Sequence, residues 1–155
     1  MIEDNILGVI LAGGRSSRFG SNKADACLGS KTLLEHTIAK VEKNFSEILI
    51  VSNEESVKTN IKNIFLVKDF IKGQLGPLAG VLSAMKWIEK NNKKYKWIVT
   101  FPCDTPFFDD AIIEKLKNCS ISGDHLLFFI NSRKKRHNIF GLWSLKLIDI
   151  LEEDI

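Results

Sequence analysis

The sequence predicts an α/β domain with a mainly parallel sheet flanked by helices, and three observations lead there. Short apolar runs and helical stripes take turns along the whole chain, the signature of repeated βαβ units. The strand candidates are continuously apolar rather than alternating, as expected where helices cover both faces of a sheet. A glycine-rich loop follows the first apolar run, where an α/β sheet carries its ligand site.

Each element follows from its own pattern. Ile6 to Leu11 is the first strand, short and wholly apolar. From Leu33 the apolar residues Leu34, Ile38, Val41 and Phe45 recur at i, i+4, i+7 and i+11, which predicts a helix lying on the sheet. Ile48 to Val51 and Ile64 to Val67 repeat the buried-strand pattern, with a polar, partly helical connection around Glu54 to Asn63. Leu78, Val81, Leu82, Met85 and Ile88 form the clearest helical stripe, and Pro77 stands where a proline favours a helix start. Trp97 to Phe101 is a fourth strand, stopped by Pro102 because proline has no N–H for a ladder. A short helix (Ile112, Ile113, Leu116) leads to a fifth strand, Leu126 to Ile130. Ile139 to Trp143 is a sixth, expected antiparallel at an edge, and Leu145, Ile148 and Leu151 mark a last helix.

Composition narrows the class. With 155 residues, 45% hydrophobic and 26% charged, the chain suits one globular domain over residues 1–155 and excludes collagen, coiled coil and disorder. A net charge of +3 is too small to argue for nucleic acid, yet it suits a small anionic substrate. Cys27, Cys103 and Cys119 are odd in number and contain no C-x-x-C pair, so buried free thiols in a reducing compartment are expected. The acidic start Met1-Ile2-Glu3-Asp4-Asn5 is unlike a secretory signal, and no apolar run nears the ~18 residues of a membrane span. The expected location is the cytoplasm, with no membrane partner.

The loop from Leu11-Ala12-Gly13-Gly14 through Arg15 and Arg18 to Lys23 has the makings of a phosphate cradle. Glycines let backbone N–H groups converge on an anion, and the cations serve more than one phosphate. A P-loop does not fit, because Gly14 and Gly20 enclose five residues and Ser21 follows; a dinucleotide fingerprint is absent as well. Asp104, in Pro102-Cys103-Asp104-Thr105-Pro106, falls at the end of the fourth strand. A carboxylate there beside phosphates is a natural Mg²⁺ ligand; its structural alternative is a cap on the next turn. Asn53 and Asp69 follow the second and third strands at the same expected edge and suit hydrogen bonds to a base or ribose. Gly76-Pro77-Leu78-Ala79-Gly80 opens a helix whose N-terminus favours anions. His36, His125 and His137 show no zinc spacing. The basic runs Arg133 to Arg136 and Lys90 to Lys96 read as solvated turns, the first also being suited to a second anionic substrate.

Together, the Leu11 to Lys23 loop, Gly76-Pro77-Leu78-Ala79-Gly80 and Pro102-Cys103-Asp104-Thr105-Pro106 resemble, in order and spacing, the molybdenum cofactor guanylyltransferases. The loop is shared by nucleotidyltransferases at large; the other two motifs are narrower. The resemblance implies a three-layer Rossmann-like nucleotidyltransferase fold and transfer of GMP from GTP to molybdenum-molybdopterin, with release of pyrophosphate. It implies that Leu11, Ala12 and Gly13 contact the nucleotide and that Arg18 and Lys23 hold its phosphates. Asn53 and Asp69 then help to bind GTP, and Asp104 binds Mg²⁺ and nucleotide. Transient contacts with cofactor-biosynthesis or acceptor proteins are implied too. The family's Asn-x-Asn-Thr-Pro segment on the pterin side does not occur up to Ile155, so acceptor handling is expected to suffer more than GTP binding. Two other readings stay open: a nucleotidyltransferase making a cytidylyl pterin or a nucleotide sugar, and a non-catalytic nucleotide or nucleic-acid binder.

Overall fold

The computed structural model of the protein describes residues 5–12, 26–53, 61–69, 76–121 and 123–155. In chain order these form β1 (Ile6–Leu11), β2 (Cys27–Leu28), β3 (Lys31–Thr32), α1 (Leu33–Val41), β4 (Ile48–Val51), β5 (Ile64–Val67), α2 (Pro77–Lys90), β6 (Trp97–Pro102), α3 (Asp110–Cys119), β7 (Leu127–Ser132), β8 (Lys135–Ser144) and α4 (Ile148–Asp154). A single 3-10 turn, Leu145–Leu147, leads into α4.

Six strands join in the order β5-β4-β1-β6-β8-β7. β5, β4, β1 and β6 run parallel, and β8 runs antiparallel to both of its neighbours. All residues of β1 are buried, because β1 has strands on both sides and helices over both faces. One face packs Ile6, Ile10, Ile48, Ile50, Val99 and Phe101 against Leu34 and Val41 of α1 and Ile113 and Leu116 of α3. The other packs Leu7, Val9, Leu49, Val51 and Ile98 against α2 and against Ile148 and Leu151 of α4. The result is three layers. Phe101 has no exposure and stacks on Phe108 at 5.5 Å, a burial worth roughly 2–3 kcal/mol for such a side chain. Gly8 is the one place where β1 has no room: a Cβ there would lie 2.8 Å from Phe45 Cδ2.

The helices begin where the sequence places their caps. Thr32 Oγ1 accepts from the Glu35 amide at 3.1 Å, and Glu35 Oε2 accepts from the Thr32 amide at 2.7 Å, so α1 starts on a capping box. The Thr32 amide also holds the Glu35 carboxyl below its ordinary range. Gly76, at φ 72°, turns the chain into Pro77 at the first position of α2. Asp109 Oδ1 accepts from the Ala111 amide at 2.9 Å and starts α3.

Several expectations change. The antiparallel strand, expected at an edge, is interior: β8 lies between β6 and β7, and β7 takes the edge. It is also longer than its apolar core, because it continues back into a tight hairpin whose two turn residues, Arg133 and Lys134, have φ of 48° and 62°. β6 does end at Pro102, which is itself the last paired residue, opposite Leu11. α1 ends at Val41, yet Phe45 still packs on the core from the following turn. Leu145 lies in the 3-10 turn rather than in α4. Cys103 is buried as expected, but Cys27 is exposed and Cys119 half-buried. The hairpin of β2 and β3 carries no periodic signal and was not foreseen. Of the expected partly helical connection around Glu54 to Asn63, residues 54–60 lie outside the described residues and 61–63 form a turn.

The basic run Lys90 to Lys96 has a structural use. Lys93 Nζ meets Glu47 Oε1 at 2.9 Å and the Tyr95 hydroxyl donates to Glu47 Oε2 at 2.6 Å, fastening the turn after α2 to the start of β4. Among the described residues no helix is long and apolar enough to cross a membrane.

Candidate active site

β1 pairs with β4 on one side and β6 on the other, and the register sets Leu11 opposite both Val51 and Pro102. The chain thus leaves β1, β4, β5 and β6 along one edge, and the strand order reverses at β1. Ligands of open α/β sheets sit in the crevice at such a switch point, beyond the carboxyl ends of the strands. The residues that emerge there are Ala12, Asn53, Asp69 and Asp104.

On the β4–β5 side a hydrogen-bonded chain fixes two of them. The Asp69 amide donates to Asn53 Oδ1 at 2.8 Å, and Ser83 Oγ of α2 donates to Asp69 Oδ1 at 2.8 Å while also lying 2.9 Å from the Ala79 carbonyl. Below them, the Ser52 amide donates to the Val67 carbonyl at 3.0 Å. Loop, loop and helix are thereby held as one unit carrying the Asp69 carboxylate and the Asn53 amide. Ser83 was not foreseen; a polar residue within the apolar stripe Val81-Leu82-Ala84-Met85 was its signal, and it is 2% exposed.

On the β6 side Asp104 is half-buried two residues beyond the end of the strand. The preceding carbonyl, of Cys103, lies 3.2 Å from Thr37 Oγ1 of α1, which shares its proton between that oxygen and the Leu33 carbonyl at 2.9 Å, so the helix after the loop and the segment carrying the carboxylate are in contact. Thr37, fully buried, is a second residue that sequence reasoning missed. Leu11 and Ala12 stand at the end of β1 with buried side chains, and the Ala12 amide donates to the Val51 carbonyl at 2.9 Å. Gly13, Arg18 and Lys23 lie outside the described residues.

The chemistry of this edge admits a hard cation. Among the described residues no cluster of three or more His, Cys, Asp and Glu side chains is present. The Asp104 carboxylate at a strand end does fit Mg²⁺, which keeps waters and takes phosphate oxygens for its remaining positions.

The basic turn reaches the same edge. β8 pairs with β6 only from Gly141 onward, so the first half of β8 and the turn with Arg133 and Lys134 extend past the carboxyl end of β6. Arg136 lies over the Phe129 ring at 5.4 Å, and Ser132 Oγ lies 2.7 Å from His137 Nε2, which stiffens the ribbon. Two concavities, of about 410 Å³ beside Glu47, Lys93 and Tyr95 and about 740 Å³ beside Trp97 and His125, lie at the opposite end of the sheet.

Three layers, a doubly wound sheet and polar residues gathered at its switch point define an open α/β domain with a ligand crevice at the strand ends. The chain belongs to the MobA-like NTP transferase domain family, whose profile matches residues 8–154. It is 36% identical over 143 residues to the molybdenum cofactor guanylyltransferase of Rhizobium rhizogenes, covering 92% of this chain and 65% of that protein. The enzyme of the same name from Haemophilus influenzae is 31% identical over 143 residues, with 92% and 72% covered. The chain thus spans about two thirds of the length of these relatives. The crystal structure of molybdopterin-guanine dinucleotide biosynthesis protein A from Archaeoglobus fulgidus shares the fold, with a TM-score of 0.77 at 21% identity over 96% of this chain and 72% of that one.

Proposed function

We propose that this chain transfers GMP from GTP to molybdenum-molybdopterin in the cytoplasm, working with transient contacts to proteins that supply or take up the cofactor. The observation that carries the reading is the pairing of Leu11 with Pro102, which brings Asp104 beside the exit of β1 into the glycine- and arginine-rich loop. Guanylyltransferase relatives supply the choice of nucleotide and acceptor.

The reaction is an in-line displacement. A terminal phosphate oxygen of molybdopterin forms a bond to the α-phosphorus of GTP as the bond between the α-phosphorus and the bridging oxygen breaks, and that electron pair leaves on pyrophosphate. An acceptor phosphate is already ionised, so no general base is needed. The chain's task is to position two polyanions and offset their charge. Arg18 and Lys23 hold the triphosphate. Asp69, an acceptor fixed by Ser83, faces the N–H donors of guanine, with Asn53 beside it. Asp104 holds Mg²⁺, which when bound neutralises phosphate charge.

Asp104→Asn is the decisive variant. It should abolish transfer at saturating Mg²⁺ while the melting temperature stays near that of the parent, since the side chain is no part of the core. Undiminished turnover would remove Asp104 from the mechanism. In the same assay, a preference for CTP over GTP would replace this reading by that of a cytidylyltransferase.

A further inference from the structure

Phe107 is 77% exposed, although its neighbours Pro106 and Phe108 are both buried. Phe108 stacks on Phe101 and meets Phe140 edge-on at 5.2 Å, Cys103 is in contact with Thr37, and Asp109 caps α3. The backbone on either side of Phe107 is therefore anchored, and the ring is held outward by design of the ledge rather than left over on a loose loop. Two residues, Thr105 and Pro106, separate it from Asp104, three Cα-to-Cα steps with a reach of at most ~11 Å.

A second ring stands beside it. His36, in the first turn of α1, lies 6.2 Å from Phe107 centroid to centroid, inclined at 46°. Its Nε2 lies 2.8 Å from the Leu28 carbonyl, which can only accept, so the imidazole donates from that nitrogen and its orientation is fixed. Leu28 itself is 44% exposed. Two rings thus stand together between α1 and the segment that follows β6, with the Leu28 backbone holding one of them.

The position says which substrate this surface meets. The Asn53–Asp69–Ser83 unit lies at the ends of β4 and β5 and is braced by α2, on the opposite face of the sheet. Phe107 follows β6, on the other side of β1. With the base on one flank and the triphosphate over the β1 loop, the partner that brings an attacking oxygen to the α-phosphorus approaches from the Asp104 flank. Its ring system carries a flat, conjugated pyrimidinone ring fused to a reduced, puckered part, and such a flat heterocycle rests on aromatic side chains.

We propose that Phe107, with His36 beside it, is the platform on which the pterin ring of the acceptor stacks. This rests on the guanylyltransferase reading above, and the test separates the two. In steady-state transfer by the whole chain, Phe107→Ala should raise the KM for molybdopterin about tenfold, within the range of base–aromatic stacking. kcat and the Kd for GTP should stay within about twofold, and Phe107→Tyr should restore the KM. Binding of a pterin monophosphate, followed by pterin fluorescence, should weaken in parallel in the alanine variant. An unchanged acceptor KM and pterin Kd in Phe107→Ala overturns the platform, as does an equal loss of GTP affinity, which would place the ring on the nucleotide. A loss seen only when molybdopterin is delivered by a carrier protein also overturns it, in favour of a protein contact. If the parent chain transfers no GMP to molybdopterin, the proposed function fails, while the fluorescence titration still decides whether a pterin stacks here.

Discussion

The bond between Ser83 and Asp69 offers a quantitative test of how the base side of the crevice is held. Ser83 has one hydroxyl proton and two acceptors in reach, Asp69 Oδ1 at 2.8 Å and the Ala79 carbonyl at 2.9 Å. A hydrogen bond to a charged group is worth roughly 1.5–3 kcal/mol, but sharing the proton and the half-exposure of Asp69 reduce this to about 1 kcal/mol. Ser83→Ala opens only a small space, so it should cost about that much, a fall of roughly 2–4 °C in melting temperature for a domain of this size. Asp69→Ala removes the same bond from the other end. In a double-mutant cycle read by urea denaturation, the pair should be less destabilising than the separate losses together by about 1 kcal/mol. Because Ser83 fixes the carboxylate proposed to meet guanine, Ser83→Ala should also weaken GTP about fivefold and leave the binding of CTP unchanged. A coupling energy below about 0.3 kcal/mol would refute the reasoning, since the two side chains would then be independent.

Two further outcomes follow from the fold. Gly8→Ala sets a methyl group 2.8 Å from Phe45 Cδ2 inside a packed core, so overpacking should cost about 1–3 kcal/mol in chemical denaturation, and Phe45→Leu in the same chain should recover part of it. Burial alone would push the Glu47 carboxyl up, but the Tyr95 hydroxyl and the Lys93 ammonium outweigh it and hold the group below its ordinary 4.5. The native state then binds fewer protons than the unfolded chain, so this contribution is complete above pH 4.5 and disappears as pH falls through the lowered native value. Tyr95→Phe should flatten that acid limb in a pH series of urea midpoints; an unchanged limb would show that Glu47 does not carry it.

The parallel strands were legible because burial on both faces leaves continuous apolar runs: β1, β4, β5 and β6 begin and end within a residue of where the sequence places them. The edge carrying Asn53, Asp69 and Asp104 followed from strand ends alone, since every parallel strand of a βαβ array points the same way. What could not be read were the pairings chosen by distant residues. An antiparallel strand fits an interior or an edge position equally well by pattern, and only the partners of β8 on both sides decide. The two-residue strands β2 and β3 are too short for any periodicity. Thr37 and Ser83 look like interruptions of helical stripes until the carbonyl of Cys103 and the carboxylate of Asp69 stand opposite them.

The place of β1 in the sheet bears on how the protein folds. Ile6 is held against Trp97, and Ile10 against both Phe101 and Ile50, so the strand made first has half its ladder supplied by a strand made much later. Such distant closures are slow, because chain entropy is lost before the contact repays it. A nascent chain that has not yet released β6 has an exposed flank on β1 and no Asp104 beside the loop. The crevice therefore forms only once β6 has joined β1. A nucleotide bound there should accordingly protect the amides of β1, β4 and β6 from hydrogen exchange together, raising the global unfolding free energy rather than quieting one loop.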